Sequence, residues 1–249
     1  MLISANAIVL RTIPYGDTSL ISRLFTENEG KVTIMAKGAR RPKNTVAAAL
    51  EPMNHLSVQF YHKNSRDIQI LKDAAFLQNF TSIRNDLSKI VIGLTIVELL
   101  DKSTRESNPA PILYRLGWRV LENLDNSKVD HWLLFAFFLF QHSLRIGFMP
   151  ELSSCTKCRS QIKDAVFDNS TGELVCQECN TDGEFVVDHY TLTLLQAMST
   201  FHMDNLDTIR YKKRSLVNSI KFLDSFSSFH IEGLGRVKSM NLLRDLLYG

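Results

Sequence analysis

The sequence predicts an α+β, multidomain fold made of an N-terminal β-barrel, a helical bundle and an inserted four-cysteine ribbon. Three observations carry this. Apolar and polar side chains alternate in five short runs within the first eighty residues, apolar residues then recur every three or four positions, and all four cysteines fall between Cys155 and Cys179. A chain of 249 residues has room for one to two domains and at least one sizeable core. With 45% hydrophobic and 22% charged residues, it lacks the bias of a disordered, collagenous or polytopic membrane chain.

The alternating runs are 7–13, 20–25, 32–36, 56–61 and 68–71. A Gly-containing turn over 26–31 joins the second run to the third, and the polar segment 62–67 joins the fourth to the fifth. Five antiparallel strands in so short a segment leave exposed edges unless the sheet closes, so an OB-like barrel is the expected geometry. Helical spacing begins at Ile83, with Ser82 as a possible cap, and continues to Leu100. Pro109 and Pro111 open a second helix. Residues 129–146 form a third that is apolar almost all round, as befits a bundle centre. After the cysteines, 190–201, 215–229 and 237–247 read as three more helices. The expected domains are 1–80 (OB-fold, DNA-binding), 81–149 with 190–249 (helical) and 150–189 (ribbon).

Cys155-x-x-Cys158 and Cys176-x-x-Cys179 stand 17 residues apart, the spacing of two knuckles that place four thiolates around one tetrahedral zinc. The stretch 166–175 reads as the hairpin between them. A four-thiolate site is closed to water and substrate, so the expected Zn2+ is single and structural. No His-x-Glu element of a zinc deaminase precedes the cysteines, and no phosphate-binding loop, nucleophile elbow or framed carboxylate pair appears elsewhere, so no enzymatic activity is expected.

Net charge is +3, but it is segregated. Residues 1–80 hold 10 Lys/Arg against 6 Asp/Glu, residues 81–203 hold 11 against 15, and residues 204–249 hold 8 against 5. Within 150–189, 3 basic residues face 8 acidic ones, so the ribbon is expected to repel a phosphate backbone. Lys37, Arg40, Arg41 and Lys43 fall within seven residues in a Gly- and Pro-containing loop after the third strand. Arg11, Arg23, Lys31, Lys63 and Arg66 lie on neighbouring strands or turns, and Tyr15, Tyr61 and Phe25 could stack on unpaired bases. The alternative is an ordinary solvated charged surface. A second basic cluster, Arg210-Tyr211-Lys212-Lys213-Arg214, sits just ahead of a helix, where polar residues are expected in any case.

The longest apolar run, Trp132 to Phe140, is nine residues, against about 20 for a helical bilayer span. Met1 to Asn6 carries no export pattern, and so few, clustered cysteines suit a reducing compartment. A cytoplasmic protein with no membrane partner is expected.

The order of Ala7-Ile8-Val9-Leu10-Arg11, Tyr15-Gly16-Asp17, Leu24-Phe25-Thr26, Gly30-Lys31-Val32 and Ala36-Lys37-Gly38-Ala39-Arg40-Arg41-Pro42, followed by helices and the cysteine pairs, resembles the bacterial RecO family of recombination mediators. The resemblance spans the chain and is most specific over 7–53. Where the family commonly continues basic after Lys43, this chain has Asn44-Thr45-Val46-Ala47-Ala48-Ala49. The resemblance implies a zinc-bearing, non-enzymatic, nucleoid-associated protein of the cytoplasm. It would bind single- and double-stranded DNA and anneal complementary strands. With RecR it would help load RecA onto DNA coated by single-stranded-DNA-binding protein. The DNA contacts expected from the charge and aromatic pattern of the barrel are Lys37, Arg40, Arg41, Lys43, Arg11, Arg23, Arg66 and Tyr61. Contact with the acidic, apolar C-terminal tail of the single-strand-binding protein calls for a basic-rimmed pocket, for which Arg115, Arg119 and Arg145 are candidates. The competing reading is a protein-interaction adapter with incidental nucleic-acid affinity.

Overall fold

The structure is a computed structural model that describes residues 1–181, 183, 185–232 and 237–248. Five strands, β1 (Leu2–Tyr15), β2 (Ser19–Thr26), β3 (Gly30–Ala36), β4 (His55–Tyr61) and β5 (Ile68–Gln78), close into a barrel in the order β1-β2-β3-β5-β4. β1 serves two partners. Its first half pairs with β4 and its second half with β2, and a register shift between Val9 and Arg11 bends it from one to the other. The barrel closes through a short parallel pairing of Thr33–Met35 with Ile68–Ile70. Alternation sends Ala7, Val9, Leu24, Ile34, Val58 and Phe60 inward to a dry core. One turn of helix, α1 (Val46–Ala49), packs Ala49 and Leu50 against it.

By contact the chain separates into two units, Met1–Ser127 with Val237–Gly249, and Lys128–Arg236. The domain limits read from sequence remain a proposal; this grouping cuts the helical segments differently, because the helix Lys238–Tyr248 packs on the helix Leu87–Ser103.

In the first unit α2 (Leu87–Ser103) and α3 (Pro111–Asn126) join α7 (Lys238–Tyr248) around the barrel. Asp86, not Ser82, caps α2 by accepting from the Lys89 amide, and Ile83–Asn85 is a separate 3-10 turn. Lys31 is buried, and its Nζ donates to the carbonyls of Asp101 (2.7 Å) and Thr104 (2.8 Å), so a barrel side chain caps the helix C-terminus. Next to it Gly30, at φ +70°, lies so close to the α2–α3 linker that an added Cβ would meet Asn108 backbone atoms at 2.5 Å. Tyr114 on α3 is buried and bonds His55 Nε2 at 2.7 Å, while His55 stacks on Trp118. Glu98 of α2 accepts from the amides of Lys238 and Ser239 and the Ser239 hydroxyl, anchoring the start of α7.

In the second unit α4 (His131–Arg145) is buried continuously from Leu133 to Ser143 and packs against α5 (His189–Thr200) and α6 (Lys213–His230). A three-stranded sheet, ordered β7-β6-β8 from β6 (Ala165–Asp168), β7 (Glu173–Val175) and β8 (Val186–Val187), forms the body of the ribbon. Phe167 of β6 meets Phe222 of α6 edge-on at 5.9 Å, and the hairpin tip bonds α6 through His230 Nε2 and the Gly172 carbonyl at 3.0 Å. Among the described residues no helix is long and apolar enough to cross a membrane.

Candidate metal centre and candidate nucleic-acid interface

Each Cys-x-x-Cys pair is turned by local backbone bonds. The Cys155 amide donates to Ser160 O (2.8 Å) and the Arg159 amide to Cys155 O (2.8 Å), with Arg159 itself at φ +64°. The second pair sits on a 3-10 turn, Gln177–Cys179, where the Cys179 amide reaches Cys176 O at 3.1 Å. The knuckles are tied together by Lys157, whose Nζ donates to Cys179 O (3.3 Å) and lies 2.6 Å from Oδ2 of the buried Asp168. Lys157 and the Ser170 hydroxyl hold the Asp168 carboxyl well below the usual carboxylate range.

The four Sγ atoms lie within 4.8 Å of one another, and Cys158 and Cys176 are 3.8 Å apart. Four sulfurs at about 2.3 Å from one tetrahedral ion stand roughly 3.8 Å from each other, so the donor set fits a metal of that size. Its protonation fits as well. Burial works against ionising Cys155, but amides of Cys158, Cys176 and Lys157 outweigh it and bring that thiol down to about 6. Hydrogen bonding with Cys176 and Cys158 pushes Cys179 up to about 12. Four crowded sulfurs cannot all carry charge unaided, and a cation supplies what is missing. The cluster could hold one metal ion, and all four positions are taken by protein.

The basic loop of the barrel is a built feature. Ala39 is buried in the barrel core and pins the tip, and the Arg40 amide donates to Thr18 O at 2.8 Å, strapping the loop to the β1–β2 turn. Asn44, where the chain departs from the family's basic continuation, closes the loop: its Nδ2 donates to Gly38 O (3.0 Å) and its Oδ1 accepts from the Val46 amide (2.9 Å), opening α1. An Asx residue just before a helix was the available signal. Lys37, Arg40, Arg41 and Lys43 are all exposed, and among the described residues none forms an ion pair. Tyr15, 54% exposed, stands at the end of β1 where this turn begins.

The remaining candidates are dispersed. Arg11 is exposed and sits opposite Arg23 across β1–β2. Arg23 is held by Asp101, both of whose carboxylate oxygens accept from its Nη1, at 2.7 and 3.1 Å. Phe25, read as a possible stacking platform, is fully buried against Tyr114, because its face of β2 is covered by α3. Tyr61 is exposed at the end of β4. Arg66 lies in the β4–β5 turn and lines a cavity of about 660 Å³ at the β3–β5 seam, where Glu29, Asp67 and Glu106 make the charge mixed. Arg115 and Arg119 are exposed one turn apart on α3 in the first unit. Arg145 belongs to the second, where it bonds Gln141 on its own helix.

Two family models match: the N-terminal part of Recombination protein O over residues 1–80 and its C-terminal part over 84–240. Similar curated proteins carry the name DNA repair protein RecO. That of Salinibacter ruber is 40% identical over 149 residues, which are 60% of this chain and 57% of the relative. That of Prosthecochloris aestuarii is 32% identical over 155 residues, 62% and 59% of the two chains. In both the match spans less than two thirds of the relative. That of Desulfatibacillum aliphaticivorans is 28% identical over 256 residues, 98% and 97% of the two chains.

Proposed function

The chain belongs to the RecO family of DNA repair proteins, and from that premise we propose that it is a non-enzymatic recombination mediator whose barrel binds DNA through the 37–43 loop. The observation that carries the reading is the loop itself: four exposed cations that form no ion pair among the described residues, held in shape by Ala39, Arg40 and Asn44 against the turn that follows the exposed Tyr15. Cations interleaved with aromatic faces suit unpaired strands, because phosphates take the charge and bases stack. Annealing needs no bond chemistry. It needs two repelling backbones neutralised together.

Arg23 is engaged by Asp101, so its contribution to DNA binding is proposed to be smaller than that of the loop, while Arg11, Arg66 and Tyr61 extend the surface. The metal is proposed to be a single Zn2+ bound by Cys155, Cys158, Cys176 and Cys179 with a structural role. Further proposals are that RecR, the C-terminal tail of the single-strand-binding protein and the RecA loading step are the partners, with Arg115 and Arg119 of the first unit and Arg145 of the second each a candidate contact for the tail. The protein would work in the cytoplasm, at the nucleoid.

The test is equilibrium binding of a labelled 30-nucleotide strand to the full chain and to K37Q/R40Q/R41Q/K43Q at low salt. The variant is expected to keep the wild-type melting temperature and to bind roughly tenfold or more weakly, with annealing of complementary strands slowed in parallel. Binding within twofold of wild type refutes the loop. Weakened binding with undiminished annealing favours the adapter.

A further inference from the structure

The second basic cluster is not absorbed by the barrel reading, and the fold gives it a definite form. Between Ile209 and Leu223 there are five cations, Arg210, Lys212, Lys213, Arg214 and Lys221, and no acidic residue. Lys212 is the N-cap of α6, and its ammonium lies over the Tyr190 ring of α5, 3.3 Å from the centroid. Lys221 sits over the Phe185 ring at 4.4 Å. Nine residues at about 1.5 Å each separate these cation–aromatic pairs by about 13 Å along α6. Arg214, Asn218 and Lys221, spaced four and three apart, share the face between them. Tyr211 extends the surface to the start of α4, donating its hydroxyl to Asp130 at 3.0 Å.

Two nearby carboxylates are engaged within the fold: Asp130 accepts from the Trp132 amide and from Tyr211, and Asp164 accepts from the His189 amide. Asp188 caps α5 through one oxygen, which accepts from the Thr191 amide and hydroxyl, and its charge attracts Arg214 and Lys212, offsetting part of theirs and leaving Arg210, Lys213 and Lys221 without such a neighbour among the described ion pairs. Among the described residues none of the five cations forms an ion pair. An ammonium held against a ring keeps N–H donors on its other side, so the rings orient these lysines without neutralising them.

We propose that this face of α6 is a second surface for single-stranded nucleic acid, distinct from the barrel loop. The inference rests on the reading of the protein as a DNA-binding annealing factor and says how it holds two strands: one on the barrel loop, one along Lys212–Lys221. Two strands on one chain meet at a high effective concentration, which annealing of dilute complements requires.

Titration of the full chain with a labelled 15-nucleotide oligothymidylate at low salt, read by stoichiometry, separates the possibilities. Wild type is expected to take two strands per chain. K212M/K213Q/R214Q/K221Q, with Met preserving the apolar stem over Tyr190, is expected to take one, with the tighter affinity unchanged within twofold and annealing slowed at least tenfold. K212R/K213R/K221R should retain both strands. The loop variant K37Q/R40Q/R41Q/K43Q should still take one, at the weaker affinity. A wild type that takes one strand and an α6 variant indistinguishable from it overturn this inference and leave the barrel reading standing. Such an outcome would hand the face to an acidic protein instead. A loop variant as competent as wild type, beside an α6 variant that binds nothing, overturns the barrel reading and the two-surface inference together.

Discussion

Lys31 reads in the sequence as one more cation on a nucleic-acid face, yet its ammonium is buried against two carbonyls at the end of α2, and Gly30 before it is where the α2–α3 linker presses on the barrel. The Gly30-Lys31-Val32 segment that carries part of the family resemblance is therefore a docking device. K31M, which leaves those acceptors and Asp101 without their charged donor, is expected to cost about 2–3 kcal/mol in urea unfolding. G30A, strained at positive φ and blocked by Asn108, should cost at least about 2 kcal/mol. Either variant with wild-type stability contradicts this assignment. Arg23 and Phe25 have partners that no local pattern shows: Asp101 and Tyr114, which engage them, lie 78 and 89 residues further along the chain. His142 makes a residue-scale prediction about pH. Burial brings its pKa from 6.5 down to about 4, so the folded state resists a proton that the unfolded chain accepts. Its contribution is intact above about pH 6.5, declines as pH falls toward 4 and is constant below that, a loss of about 2 kcal/mol between pH 7 and 5. H142F should remove that part of the pH dependence of denaturant unfolding, and an unchanged slope would show that His142 is not its source.

Strands and long helices were legible because burial on one face imposes a period, and the barrel, α3, α4 and the ribbon hairpin fall where the periods put them. Three features were not. α1 has four residues, too few to show a period. β5 continues to Gln78 although Lys72, Asp73, Ala75, Phe76 and Leu77 are all exposed and do not alternate. The start of α2 was misplaced because Ser82 and Asp86 are equally plausible caps by residue type, and only geometry shows which accepts the Lys89 amide. The cysteine pairs needed no geometry beyond their spacing. What the sequence concealed was the ribbon's attachment: Phe167 on Phe222, and a hairpin tip where a Cβ on Gly172 would collide with the Phe229 ring. Metal removal is therefore expected to lower the melting temperature of the unit containing α4–α6, and G172A to do so with metal bound; a chelated protein with unaltered thermal unfolding would refute a structural metal.

For the molecule as a whole, the modest net charge conceals a basic barrel loop, an acidic ribbon and a basic α6 start, and each has a structural counterpart. Of the sequence candidates, Lys37, Arg40, Arg41 and Lys43 share one loop strapped to the turn after Tyr15, Arg23 is paired with Asp101, and Arg11, Tyr61 and Arg66 lie on other strands and turns of the barrel. The central claim is that DNA is held by phosphate contacts from the loop. Its most direct test is the salt dependence of single-strand affinity, since each phosphate neutralised contributes about −0.7 to the slope of log K against log salt. If Lys37, Arg40, Arg41 and Lys43 each engage one phosphate, K37Q/R40Q/R41Q/K43Q should flatten that slope by up to about 3 units relative to wild type. A slope identical to wild type in a folded variant would contradict it.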